Sequence, residues 1–224
     1  MSVDSIETRV RYILGTLPSG VTLVAAAKSR TLEEVKAAIC AGVTHVGHNY
    51  VQEAEGMIEA LGDKAQWHMI GHLQRNKAKK AVQLFDVIET VDSWRLAVAV
   101  DRRCEALGKV MPVLVEINSG REASKTGVLT EDVDDFVRRL SELEHIRVKG
   151  LMTMGPPFGD PEEARPYFRA TREAFERLAA SNLPTITMRY LSMGMSNSYL
   201  VALEEGANIV RIGTGIFGDR PEEL

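Results

Sequence analysis

The stretch Leu23-Val24-Ala25-Ala26-Ala27-Lys28 decides how this chain is read. It lies between Gly20 and the helical signals that begin at Thr31. An unbroken apolar run of this length predicts a strand covered on both faces, as in a parallel sheet. The run ends on a lysine, a residue almost never buried unless it is paired or chemically employed. At the carboxyl end of a central strand, the amine of Lys28 can attack a carbonyl group in its neutral form. A lysine at one strand end can equally reach out to water along its aliphatic stem. The remainder of the chain decides between the two.

Strand and helix patterns alternate downstream. Strand-like runs cover Thr22–Ala27, Thr44–Gly47, Gln66–Ile70, Asp86–Val91, Val113–Asn118, Val148–Met152, Arg189–Ser192 and Ile209–Ile212. Helical patterns fill the intervals at Leu32–Ala41, Val51–Leu61, Asn76–Leu84, Trp94–Ala106, Glu131–Leu143, Glu162–Ala180 and Ser196–Glu205. An amphipathic segment, Ser5–Leu14, precedes them all. Thr31 with Glu34 forms a capping-box signature, and Thr130 a weaker cap. Alternation of this kind predicts a parallel sheet with right-handed crossovers. About eight strands without a linker favour a (β/α)8 TIM-type barrel, with an extra N-terminal helix, formed as one domain over residues 1–224. No GxGxxG follows the first strand, which weighs against a dinucleotide fold.

The composition excludes several classes. At 224 residues, with 45% hydrophobic and 26% charged residues, the chain is an ordinary globular protein rather than a disordered one. A net charge of −4 offers no general attraction to nucleic acid or anionic lipid. No apolar run is long enough to span a bilayer, and Met1-Ser2-Val3-Asp4 does not open a signal peptide. Cys40 and Cys104 lack a CxxC partner and read as reduced thiols, so a cytoplasmic location is expected. The cluster Arg75-Asn76-Lys77-Ala78-Lys79-Lys80 reads as a solvated helix face, without the interleaved aromatics of an RNA site. His68 and His72 have a His-x3-His spacing, but Gly71 interrupts any helix there, and no metal site is expected.

In a barrel, chemistry gathers at the carboxyl ends of the strands, and the loops after strands seven and eight often hold phosphate. Here these loops are Ser192-Met193-Gly194-Met195-Ser196 and Gly213-Thr214-Gly215. Their small residues let backbone N–H groups approach an anion, and a helix starting near Ser196 would add its dipole. Arg211 lies within a strand pattern, where an always-charged side chain needs a partner. It faces either a ligand at the barrel mouth or a carboxylate such as Glu116. Met152, Met154, Met193 and Met195 are core filler or a pad for a flat ligand.

Eight segments taken together carry a resemblance. They are Val24–Arg30 (VAAAKSR), Gly47–Ala54 (GHNYVQEA), Trp67–Lys77 (WHMIGHLQRNK), Val91–Ala97 (VDSWRLA), Leu114–Val128 (LVEINSGREASKTGV), Gly150–Met154 (GLMTM), Leu191–Tyr199 (LSMGMSNSY) and Val210–Arg220 (VRIGTGIFGDR). In order and spacing the chain resembles the pyridoxal 5'-phosphate homeostasis proteins, relatives of the N-terminal barrel of alanine racemase. The resemblance implies that Lys28 carries pyridoxal 5'-phosphate as an internal aldimine and that Asn49 and Met152 belong to the cofactor site. It implies that Arg211 faces the pyridine nitrogen, and that Ser192, Met193, Gly194, Gly213 and Thr214 hold the phosphate. Lys125 matches a second lysine near the site. Two positions depart from the family pattern: His48 stands where glutamate is usual, and Arg30 where another lysine is common.

The implied function is homeostasis of vitamin B6 and of amino and keto acids, without an established reaction and without a metal. Its partners would be the small-molecule cofactor and apo forms of pyridoxal-phosphate enzymes, not nucleic acid or membrane. The chain itself is expected to be a monomer or weak dimer. The alternative is an amino-acid racemase. Such enzymes use a second base from a separate C-terminal domain, for which this sequence leaves no room after the barrel. A Schiff-base aldolase would account for Lys28 and the two loops but not for the whole motif series.

Overall fold

The computed structural model describes residues 3–122, 125–156, 158–181, 183 and 185–219. Its strands are β1 (Thr22–Ala26), β2 (His45–His48), β3 (Gln66–Met69), β4 (Val87–Val91), β5 (Met111–Ile117), β6 (Ile146–Thr153), β7 (Ile186–Ser192) and β8 (Ile209–Ile212). Each pairs in parallel with the next, and β8 pairs back onto β1, closing an eight-strand barrel in chain order. All eight lie where the apolar runs placed them, most of them within a residue or two at the carboxyl end. β5, β6 and β7 begin two or three residues earlier than their patterns do.

The helices are α1 (Val3–Thr16), α2 (Leu32–Cys40), α3 (Val51–Leu61), α4 (Ala78–Leu84), α5 (Trp94–Glu105), α6 (Val133–Leu140), α7 (Arg165–Ala179), α8 (Tyr199–Glu204) and α9 (Thr214–Phe217). Ile6, Val10 and Ile13 recur at helical spacing on α1 and are buried, seating it against α2 and α9 beside the β8–β1 closure. At α2 the Thr31 hydroxyl accepts from the Glu34 N–H, and the Glu34 carboxylate accepts from the Thr31 N–H at 2.8 Å. These bonds satisfy two of the N–H groups that a helix start leaves orphaned.

Five helix starts differ from the sequence expectation: α1 begins two residues earlier, at Val3, and α4 two residues later, at Ala78, after a 3-10 turn at Arg75–Lys77. Asp132, not Thr130, precedes α6, and its side chain makes no cap. α7 begins at Arg165 after a short 3-10 turn at Pro161–Ala164, because Pro161 and Pro166 lack the N–H that one continuous helix would use. α8 begins at Tyr199 rather than Ser196, since the N–H groups of Ser198 and Tyr199 both turn back to the Met195 carbonyl. The short α9 has no counterpart in the sequence reading.

Apolar packing falls into two layers. The larger lies between sheet and helices and includes Val46, Trp67, Ile88, Val115 and Phe168. The smaller lies inside the barrel, where Val24, Ile70 and Ile209 pack with Ala26 and Tyr190. Each fully buried Leu, Ile or Phe stabilises the fold by roughly 1.5–3 kcal/mol. Gly150 lets β6 and β7 approach, since a Cβ there would overlap the Tyr190 backbone. Among the described residues no helix is long and apolar enough to cross a membrane. Cys40 and Cys104 are both free thiols.

Candidate functional site

A cavity of about 430 Å³ opens at the carboxyl end of the strands. That size lies within the roughly 300–1,000 Å³ usual for small-molecule sites. Lys28, Asn49, Arg211, Gly213 and Thr214 all line it. The chain brings them together from β1, β2 and β8, which are neighbours around the barrel. Ala27 extends β1 by one bond, its N–H donating to the Gly47 carbonyl at 2.8 Å, so Lys28 emerges at the rim in a fixed direction. Ser29 then turns at φ 58°, and its N–H donates to Glu53 at 3.3 Å. Lys28 is half-buried, with its Nζ 5.3 Å from the centre of the Tyr50 ring. This is a cation–π distance that steadies the amine without engaging its donors in a salt bridge.

Arg30 also lines the cavity, although its guanidinium points along the rim. It donates to the Gly218 carbonyl at 2.5 Å and to those of Phe217 and Asp219 at 3.4 Å, and it stacks over the Phe217 ring. The departure from a family lysine therefore produces a clamp on the end of α9. That clamp holds the Gly213-Thr214-Gly215 loop against the cavity. Gly215 N–H donates to the Ser196 hydroxyl at 3.1 Å, tying this loop to the one after β7. The N–H groups of Ser196, Gly213 and Thr214 donate to no acceptor among the described residues. At Gly213 a Cβ would come within 3.3 Å of the Ala26 carbonyl, so glycine keeps this backbone bare.

Arg211 reaches the cavity from inside the barrel. Its Nη1 donates to the Ser192 hydroxyl at 2.6 Å and its Nη2 to the Thr153 carbonyl at 2.9 Å. Ser192 in turn donates to Glu89 Oε2 at 2.6 Å, and the other carboxylate oxygen meets His68 Nδ1 at 2.6 Å. Burial by itself would raise the Glu89 pKa. The hydrogen bond and charge of His68, the charge of Arg211 and the Ser192 hydroxyl together hold it below the ordinary carboxylate range. Burial also lowers the Arg211 pKa against the opposing pull of Glu89 and Glu116. Glu116 is not the ion-pair partner expected from sequence. The Arg211 partner is Glu89 at 3.9 Å, whereas Glu116 accepts from Thr126 at 3.0 Å and burial raises its pKa.

Four sequence candidates do not line the cavity: Met152, Ser192, Met193 and Gly194. Met152 and Met193 are wholly buried, whereas Met154 and Met195, in the chain just beyond the ends of β6 and β7, line the cavity. Ser192 is spent on Glu89 and Arg211. Gly194 faces away, since a Cβ there would strike Ala202 and Tyr199 of α8. Lys125 pairs with Glu122 at 2.5 Å, outside the cavity lining. His72 pairs with Asp92 at 3.2 Å, whereas His68 faces the barrel interior, so the His-x3-His pair diverges. Glu89 escaped the sequence reading altogether. An isolated carboxylate in Val87–Val91 carries no motif, and only the closure of the barrel sets it opposite Arg211.

His48 is buried and stacks on Trp67 with centroids 6.0 Å apart, both ring nitrogens lacking a hydrogen-bond partner among the described residues. Burial pulls its pKa down to about 4. The glutamate usual at this position would be a carboxylate in the same apolar setting.

Comparison with known proteins places this barrel and cavity. The family model of the alanine racemase N-terminal domain matches residues 1–221. The chain belongs to that family. Within it, the chain is 39% identical over 199 residues to the pyridoxal phosphate homeostasis protein of Aquifex aeolicus, covering 88% of this chain and 86% of that one. The Schizosaccharomyces pombe protein of the same name is 36% identical over 91% of this chain and 86% of its own. The protein is therefore a member of the pyridoxal phosphate homeostasis group. Among solved structures, PipY of Synechococcus elongatus with PLP bound superposes with a TM-score of 0.86 at 34% identity, over 95% of this chain and 100% of that one. Alanine racemase of Clostridium difficile shares the fold at TM-score 0.78 and 17% identity, with 57% of its length matched.

Proposed function

We propose that this protein binds pyridoxal phosphate in the cavity at the barrel mouth, linked covalently through Lys28, and holds it for buffering or delivery to apo-enzymes. The observation that carries this reading is the placement of Lys28, Arg211 and the bare N–H groups of Gly213 and Thr214 around one cavity. These groups fit the cofactor chemically. An amine suits its aldehyde, a guanidinium its ring nitrogen, and unspent N–H groups with the Ser196 hydroxyl suit its phosphate. Met154 and Met195 supply soft walls for a flat ring, and Asn49 an amide at the rim.

The cofactor's usual chemistry is electron withdrawal through its protonated ring nitrogen. A permanently charged Arg211 facing that nitrogen disfavours the protonated form and weakens the sink. Among the described residues no carboxylate, imidazole, thiol or phenol lines the cavity. Proton removal and return on opposite faces of a substrate needs two bases; the Lys28 amine is one, and a racemase would need a second on the opposite face. Titrating the purified protein with pyridoxal phosphate should produce saturable near-visible absorbance. Incubating the loaded protein with L-alanine should leave the optical rotation constant. Loss of rotation at an enzymic rate, abolished in Lys28→Ala, would replace this reading with a racemase.

A further inference from the structure

We infer that Glu89 and Ser192 are positioning residues that orient Arg211 toward the ring nitrogen of bound pyridoxal phosphate. This deepens the cofactor-binding reading above and rests on it. A guanidinium has five N–H donors in one plane. The bonds to Ser192 and to the Thr153 carbonyl hold both terminal nitrogens and so fix that plane, leaving further N–H groups for the cavity that Arg211 lines.

The hydroxyl between the charges matters. Ser192 has one proton and gives it to Glu89 Oε2 at 2.6 Å, so toward Arg211 it must act as acceptor, also at 2.6 Å. Glu89 cannot turn away, because its other oxygen meets His68 at 2.6 Å. An ordinary buried pair would dock carboxylate and guanidinium fork to fork and consume two donors. Here the carboxylate stands 3.9 Å from Nη1 with a hydroxyl interposed. Glu89 thus balances the charge of Arg211 without occupying the donors that face the ligand. The relay crosses β3, β4, β7 and β8, so it is preformed by the barrel rather than by a mobile loop.

The test is a cycle between protein variants and a ligand lacking the nitrogen. Affinities of wild type, Ser192→Ala, Ser192→Thr and Glu89→Gln are measured for pyridoxal phosphate and for its carbocyclic analogue with C–H in place of the ring nitrogen. Wild type should prefer the natural compound by on the order of tenfold or more, as for a lost bond to a charged donor. Ser192→Ala and Glu89→Gln should erase most of that preference, and Ser192→Thr should restore it. A role confined to fold stability would lower both affinities together and leave the preference intact, which would overturn the assignment. Wild type binding both ligands tightly and equally would also overturn it while leaving cofactor binding in place. Wild type binding neither would sink the cofactor reading itself. Should a variant fail to fold, a crystal structure of the wild-type complex decides. Arg211 within about 3.2 Å of the ring nitrogen with the Ser192 and Glu89 contacts intact supports the inference, and any other partner at that nitrogen refutes it.

Discussion

Val24 and Arg211 are register partners across the β1–β8 seam, with Val24 four positions before Lys28 on the same edge. The seam that closes the barrel thus sets the Lys28 amine and the Arg211 guanidinium on adjacent strands, both opening into one cavity. The placement of these two side chains is therefore built into sheet pairing rather than into loop conformation.

Arg30 links that seam to the chain that follows β8. Replacing it with alanine strands the carbonyls of Phe217, Gly218 and Asp219, of which the Gly218 bond is the shortest at 2.5 Å. Arg30→Ala should cost about 2–3 kcal/mol in urea unfolding and weaken pyridoxal phosphate binding, because the Gly213–Gly215 loop loses its anchor. Arg30→Lys should recover part of the stability, since an ammonium cannot span three carbonyls. Equal unfolding midpoints for wild type and Arg30→Ala would show that the clamp contributes nothing.

His48 makes stability depend on pH. Its folded pKa lies near 4, whereas an unfolded histidine titrates near 6.5. Between these values the unfolded chain binds the extra proton, so stability rises with pH and is lost as pH falls from about 6.5 toward 4. Full protonation would cost on the order of 3 kcal/mol. His48→Leu should flatten this part of the curve in urea titrations at successive pH values. An unchanged slope would assign the acid sensitivity to other groups.

Phosphate should dominate affinity. Pyridoxal keeps the aldehyde and ring but gives the N–H groups of Ser196, Gly213 and Thr214 no anion to meet. Each charge-assisted bond is worth roughly 1.5–3 kcal/mol, so pyridoxal should bind at least tenfold more weakly by fluorescence titration. Comparable affinities would remove the phosphate from these loops.

Much of this was legible in the residues. Leu23–Ala27 reads as a buried strand because covered parallel strands are continuously apolar, and the other seven strands were found from strand-like runs alternating with helical patterns. Helix starts were less legible where proline or a local turn decides them, as at Pro161, Pro166 and Met195. The site divided along the same line. Lys28, Arg211, Gly213 and Thr214 sit at strand ends and loops whose place a barrel dictates. The exact end of β6, which no motif marks, leaves Met152 buried within the strand and Met154 at the rim beyond it. The Glu89 carboxylate and the diversion of Ser192 depend on contacts across the barrel, 103 residues apart in sequence, which no local pattern records.

If Lys28 is a tether rather than a structural ion, Lys28→Ala should fold normally. Among the described residues the amine makes only the Tyr50 ring contact, so thermal unfolding of the cofactor-free protein should shift little. The variant should keep weaker, non-covalent binding and release cofactor to an apo-enzyme faster than wild type. A large loss of stability, near the roughly 3–5 kcal/mol of a broken buried pair, would mean that Lys28 is structural.

The most direct measurement is borohydride reduction of the protein loaded with pyridoxal phosphate, followed by peptide mapping. The adduct should lie on Lys28, within the peptide that runs from β1 to Arg30. An adduct on Lys125 or another lysine, with Lys28 unmodified, would contradict the account.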